Sequence, residues 1–391
     1  MDAQYRAHLE KVTLGFKRRD CALKGAINKV KINTKIVAAL MFLTLMAGSF
    51  YLFSSTHATK AAINQGFVGI ILPDTSSSTR WKDSDRQALL TAFSLAGIRI
   101  KIENAAGNQT TFKTIADRLL TQGAKVLVIA NLDSNSAKQV EDKATTQGVP
   151  VIDYDRLTSN GSSSYFVTFD GEKIGNLQAQ ALNECLAAKK VVQPNILLLL
   201  GPDSDENATN VTRGNFSVLT KKFQSGAAVL AENIAIPDWN PIEVAPIVRR
   251  VLLSSSVPIE GLIAGNDGIA LAAIAEIKRM GRPVPKCVTS QDATDAGLAA
   301  LLTNDIYMTV FKDSRLEAQA TALLASSLLS GENPNNINGV TNNGTIKVPS
   351  IILRPESVTR SGIRALFDLG FTTQGRVCAY LPTPIKCSIA N

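Results

Sequence analysis

Hydrophobic and polar positions change period repeatedly after Gln65. Short apolar runs occupy Phe67–Leu72, Ile98–Glu103, Val126–Ala130, Val149–Asp153 and Tyr165–Phe169. Between them, near Asp85–Ala96, Thr110–Gln122 and Ser136–Gln147, apolar residues recur with helical spacing. The series then restarts with Ile196–Leu200, Val229–Ile234, Gly261–Ala264 and Cys287–Ser290, alternating with helical patterns near Glu172–Ala188, Asn207–Lys222, Pro241–Ser254 and Ile269–Met280. Apolar runs without alternation predict strands covered on both faces, which means parallel sheets wound with helices. Two such series predict an α/β fold of two doubly wound parallel-sheet lobes of similar size.

The pattern upstream is different. Ile36–Phe53 reads IVAALMFLTLMAGSFYLF, 18 residues without a charge, long enough to span a bilayer as a helix. Residues 1–60 hold ten Lys/Arg against three Asp/Glu, and nine of those ten cations precede the apolar run. By the positive-inside rule residues 1–35 stay in the cytoplasm and the body is exported, to the periplasm or the extracellular face of the cytoplasmic membrane. The run reads as a permanent membrane anchor or as an extended signal peptide cut after Thr56-His57-Ala58, and its length favours the anchor. Residues 54–64 follow as a linker.

Composition then acts by exclusion. The net charge of the 391 residues is +8, but beyond residue 60 there are 31 basic and 30 acidic residues, so the body has no electrostatic mark of a nucleic-acid binder. Both histidines, His8 and His57, precede that body, which removes Ser-His-Asp and Cys-His catalysis and His-ligated metals. No Cys-x-x-Cys, Gly-x-Gly-x-x-Gly or Walker-type loop occurs. Neither a cofactor nor a metal is expected, and no enzyme activity. Cys378 and Cys387 flank a Pro-containing tail that a disulfide could close in an oxidising compartment; Cys185 and Cys287 read as buried thiols or as a second bridge.

In open α/β sheets ligands sit beyond the carboxyl ends of strands. The polar residues there are Arg80 and Trp81 after the first strand and Asp155 and Arg156 after the fourth. Asp205 and Asn207 follow Ile196–Leu200, Trp239 follows Val229–Ile234, Asn266 follows Gly261–Ala264, Asp292 follows Cys287–Ser290, and Lys312 follows Ile306–Phe311. Carboxylates, amides and guanidinium groups bind vicinal hydroxyls in pairs, and aromatic rings cover C–H faces, so the set suits a sugar. Taken singly, each has a plainer reading. Asp292 and Asn266-Asp267 suit helix caps, and Trp239 beside Pro241 suits surface packing. Convergence of the whole set is what points to a ligand.

At these residues the chain resembles the D-xylose-binding proteins of bacterial ABC sugar importers, within the type I periplasmic sugar-binding proteins. The resemblance runs from about Phe67 to Phe371. It is carried by Arg80-Trp81 with Asp85-Arg86, Ala105-Ala106-Gly107-Asn108, Tyr154-Asp155-Arg156, Phe169-Asp170-Gly171-Glu172, Asn266-Asp267, Gln291-Asp292, Thr309-Val310-Phe311-Lys312 and Asn342-Asn343-Gly344. It implies a monomer that holds a monosaccharide, D-xylose or a related aldopyranose, and delivers it to an ABC transporter permease. Arg80 and Arg156 would donate to ring hydroxyls between walls of Trp81 and Trp239. Asp205, Asn207, Asn266, Asp292 and Lys312 would complete the polar set, with Asp155 orienting Arg156. It further implies chain crossings near Phe169-Asp170, Gln291-Asp292 and Thr341–Gly344. Lobe one would then be 65–169 plus 293–340, lobe two 170–292 plus 341–374, joined by a three-segment hinge, with a tail at 375–391. A sugar-sensing ectodomain working with a signalling partner is the alternative. A glycosidase built on Asp205 and Asp292 is disfavoured, because neighbouring cations lower carboxyl pKa values and a general acid needs a raised one.

Overall fold

The computed structural model describes residues 66–254 and 257–382. The apolar run 36–53, its flanks and Cys387 lie outside the described residues. The described residues form one compact unit.

From Gly66 the chain builds β1 (Phe67–Leu72), a short helix α1 (Arg80–Asp83), α2 (Asp85–Leu95), β2 (Ile100–Asn104), α3 (Gln109–Thr121), β3 (Ala124–Ile129), α4 (Ser134–Thr146), β4 (Val151–Tyr154) and β5 (Tyr165–Phe169). A second series follows: α5 (Gly171–Ala188), β6 (Asn195–Leu200), α6 (Glu206–Gln224), β7 (Val229–Ala235), α7 (Val244–Ser254), β8 (Gly261–Ala264), α8 (Asp267–Arg279), β9 (Cys287–Gln291), α9 (Asp295–Thr303) and β10 (Met308–Phe311). The chain ends its described course with α10 (Ser314–Ser330), β11 (Gly339–Asn342), β12 (Lys347–Leu353), β13 (Glu356–Thr359), α11 (Ile363–Asp368) and α12 (Gln374–Cys378).

These strands form a seven-stranded sheet, β11-β12-β5-β4-β3-β1-β2, and a six-stranded sheet, β13-β10-β9-β8-β6-β7. Pairing is parallel except where β11 meets β12 and β13 meets β10. β1 and β6 are flanked on both sides by strands and are buried along their whole length, which is why they read as unbroken apolar runs.

The chain passes between the sheets three times: from β5 into α5, from β10 into α10, and from β12 into β13. Two of the expected crossings are thereby corrected. The second falls at Lys312-Asp313 rather than Gln291-Asp292, because β10 stays in the second sheet, parallel to β9 with Thr309 opposite Ser290. The third falls at Arg354-Pro355 rather than Thr341–Gly344, which lies within the β11–β12 hairpin, and β12 pairs with β5. Sheet membership thus assigns 66–169 with 314–353 to lobe one, and 171–311 with 356–382 to lobe two. Cys185 and Cys287 form a disulfide between α5 and β9, both cysteines fully buried in the core of lobe two.

One buried polar feature of lobe one lies away from the sheet ends. Glu141 of α4 and Asp153 of β4 are both without solvent exposure. Asp153 accepts from the Thr158 amide (2.8 Å) and hydroxyl (3.0 Å), and Glu141 accepts from the Ser162 amide (2.5 Å). Burial raises both carboxyl pKa values, and for Asp153 the neighbouring Glu141 charge raises it further. The folded state therefore binds more protons than the unfolded one between the ordinary carboxylate range and the raised values. Stability from this pair is full at low pH and is lost as pH rises through the folded pKa values. Thermal unfolding between pH 5 and 8 is expected to show this decline, and Glu141→Gln, which keeps an amide donor for Asp153, should flatten it. An unchanged slope in that variant would place the pH dependence elsewhere.

Candidate functional site

The loop after β1 is stiffened before it reaches the cleft. Asp74 accepts from the amides of Ser76 (2.8 Å) and Ser77 (2.6 Å) and from the Ser77 hydroxyl (2.8 Å). The turn delivers Arg80 and Trp81 on α1, with both side chains facing inward and buried. Arg80 gives Nε and Nη2 to Asp85 (2.8 and 2.6 Å), Nη2 again to Glu317 (2.9 Å) and Nη1 to Asp155 (2.7 Å). Four of its five N–H groups are thus held within the protein, so its main work is to fix Asp155. Trp81 donates its indole N–H to the Ser77 hydroxyl (3.2 Å), and the guanidinium carbons of Arg80 and Arg156 lie 4.7 and 5.1 Å from its ring centroid. Cation–π attraction makes this ring a platform for both arginines. Arg156 is held by the Asn131 carbonyl (3.2 Å) and the Ser77 hydroxyl (3.0 Å), which leaves three of its five N–H groups.

Lobe two meets this surface from the other side. Asp205 caps α6, accepting from the Asn207 amide (2.9 Å), and its second oxygen takes the Trp239 indole N–H (2.8 Å). Trp239 lies so close to Gly201 and Gly265 that a Cβ there would come within 2.2 and 2.8 Å of its ring. Asn266 caps α8 through Ile269 (2.9 Å), as the plainer reading had it, while its amide reaches across to the Ser77 carbonyl (2.9 Å). Asn207 likewise reaches across, to the Asp155 carbonyl (2.5 Å). Asp292 caps nothing, because Thr294 is the cap of α9. Its Oδ2 accepts from Ser78 of lobe one (2.9 Å), and Lys312 stands 3.2 Å from its Oδ1 and 3.4 Å from Asp155. These links hold the lobes in a closed arrangement.

All ten residues singled out from the sequence line one cleft between the lobes. Three cations (Arg80, Arg156, Lys312) face three carboxylates (Asp155, Asp205, Asp292). Burial opposes the charge on Asp155, but Arg80, Lys312 and Arg156 outweigh it and hold its carboxyl well below the usual range. Burial and Arg80 likewise oppose the charge on Lys312, and Asp155 and Asp292 outweigh them, so its pKa is raised. Asp155, Trp239 and Asp292 have left-handed backbone (φ 63°, 55° and 100°), the kind of local strain that clusters at ligand clamps. One acceptor on the cleft, Gln291 Oε1, is buried without a hydrogen bond among the described residues, whereas Asp292 Oδ1 is answered by the Lys312 ammonium. Nothing in the pattern of residues marked Ser77, Ser78 or Glu317 as part of this site. Isolated serines in a polar loop, and acids at helical spacing, carry no mark of burial.

Two parallel α/β lobes joined by three passes, with a polar cleft between them, define the type I periplasmic-binding-protein fold. The chain belongs to the periplasmic binding protein domain family, whose pattern matches residues 68–333. It is 28% identical over 285 residues to the D-xylose-binding periplasmic protein of Escherichia coli K12, covering 73% of this chain and 84% of that one. To the multiple sugar-binding periplasmic receptor ChvE of Rhizobium radiobacter it is 29% identical over 316 residues, covering 77% and 88%. Among solved structures, the carbohydrate transporter solute binding protein of Chloroflexus aurantiacus in complex with D-glucose superposes with a TM-score of 0.73 at 28% identity, covering 80% of this chain and 98% of that one. These relatives are binding proteins, not enzymes.

Proposed function

We propose that the protein captures a neutral monosaccharide, D-xylose or a related aldopyranose, between its lobes and delivers it to an ABC transporter permease. The observation that carries this reading is the buried acceptor Gln291 Oε1, on a cleft whose lining cations and carboxylates already balance. A leftover acceptor favours a donor, and a balanced lining favours a ligand without charge; a sugar hydroxyl meets both conditions. Arg156 supplies N–H donors, Asp155 and Asp205 further acceptors, and Trp239 an apolar face. Residues 36–53 would tether or export the body, and the three inter-lobe passes would act as the hinge. The relatives named for xylose and for several sugars support the ligand class and leave its epimer to measurement.

Calorimetry of residues 61–391 against a panel of pentoses and hexoses tests the proposal. Saturable heat with at least one neutral aldopyranose, and none with the corresponding uronic acid or sugar phosphate, is the expected result. Tryptophan emission should change in the same titration, because both tryptophans of the chain line the cleft. Absence of heat with every sugar would refute the reading.

A further inference from the structure

Asp267, the first residue of α8, does not line the cleft, yet it is without solvent exposure and every oxygen lone pair of consequence is taken. Its Oδ1 accepts from the hydroxyls of Ser290 (2.5 Å) and Thr309 (2.8 Å), and its Oδ2 accepts from the amide (2.8 Å) and hydroxyl (2.9 Å) of Thr294. Thr309 spends its proton on Asp267 and so presents a lone pair, which the Ala293 amide takes at 3.2 Å. The carboxylate therefore grips the chain on both sides of the bend that follows β9, at Ser290 before it and at Thr294 after it, and through Thr309 it holds Ala293 within it. Asp292 and Ala293 within that bend have φ of 100° and 49°, a conformation neither side chain adopts without support. Gly297 completes the arrangement: a Cβ there would lie 2.1 Å from Asp267 Oδ2, so only glycine lets the helix start of α9 approach the carboxylate.

We infer that Asp267 is the positioning residue for Asp292: it holds the strained bend that aims the Asp292 carboxylate into the cleft. This rests on the proposed sugar-binding reading and adds to it a residue that never meets the ligand. The protonation state agrees. Burial raises the Asp267 carboxyl, the Asp292 charge adds to this, and the hydrogen bonds hold it back at about 6. The ionised carboxylate is the form that can accept from four donors at once.

A double-mutant cycle on the full chain in mild detergent separates this role from a general structural one. Asp267→Asn keeps the shape but turns one acceptor into a donor, and is expected to weaken binding of the sugar found in the panel about tenfold. In an Asp292→Asn background the same change should cost less than about twofold, because the group being aimed is gone. Hydrogen exchange of the ligand-free protein provides the second measurement. Amides at 292–294 should exchange faster in Asp267→Asn while the strands of lobe two do not. Should Asp267→Asn fail to fold, Thr309→Val removes the hydroxyl that links Asp267 to Ala293, leaves the Thr294 contacts in place, and should give the same non-additivity and the same local exchange. Equal losses in both backgrounds, or faster exchange throughout lobe two, would overturn the inference and leave sugar binding standing. A wild-type chain that binds no sugar would overturn both, which tells the two failures apart.

Discussion

Asp155→Ala is expected to destabilise the protein by about 3–5 kcal/mol, the usual cost of removing one member of a buried ion pair. The carboxylate answers Arg80 at 2.7 Å and Lys312 at 3.4 Å, all of them nearly unexposed, so its loss takes from both cations a buried partner that their remaining carboxylates, Asp85, Glu317 and Asp292, only partly replace. Backbone strain adds to this, because φ at 155 is 63° and alanine tolerates that region less well than aspartate or asparagine. Asp155→Asn isolates the charge: it keeps the shape and the tolerance for positive φ and should cost less. The sign of the pH dependence follows from the carboxyl lying below its ordinary value. Its contribution is present above the unfolded pKa and is lost as pH falls through the folded one. Wild-type stability should therefore drop in acid more steeply than that of Asp155→Asn. Urea unfolding at several pH values, with sugar calorimetry on the same samples, measures both consequences. Equal stability of wild type and Asp155→Ala would mean that Arg80 and Lys312 are satisfied without it.

The strands were legible because parallel sheets bury both faces. Phe67–Leu72 and Gly261–Ala264 have the bounds their apolar runs suggested, with turn residues on either side. The ends of those strands were legible for the same reason, and the common direction of parallel strands turns a series of strand ends into one place in space. What the chain did not disclose was partnership. Met308–Phe311 reads as a buried strand in either lobe, and only its pairing with β9 moves the second crossing to Lys312. The hairpin β11–β12 escaped notice because Gly339–Asn342 is short and polar and Lys347–Leu353 carries Pro349. Glu317 sits at helical spacing among alanines and leucines, where an acid reads as solvent-facing. Its burial exists only because Arg80 arrives from a segment 237 residues earlier. Asp267 has the same character, being read as part of a cap and found to grip a bend in another strand–helix unit.

Loss of the Cys185–Cys287 bridge is expected to cost about 4–5 kcal/mol, the chain-entropy value for closing a loop of roughly 100 residues. The two cysteines are 102 positions apart, and the loop they close contains β6, α6, β7, α7, β8 and α8, most of lobe two. Against a typical net stability of about 5–15 kcal/mol this is a large fraction, and it should fall on one lobe. The two tryptophans make that readable, since Trp81 belongs to lobe one and Trp239 to lobe two. In a Cys185→Ala/Cys287→Ala background, Trp81→Phe leaves the emission of lobe two, and Trp239→Phe leaves that of lobe one. Denaturant midpoints should fall strongly for the first reporter and less for the second, so that a transition shared in the oxidised protein divides in two. Reductant added to the wild-type cysteines should reproduce the division once the core opens, because both sulfurs are buried and exchange requires access. Coincident and unshifted midpoints in the alanine variant would show that the packing of α5 on β9 holds lobe two without a covalent link.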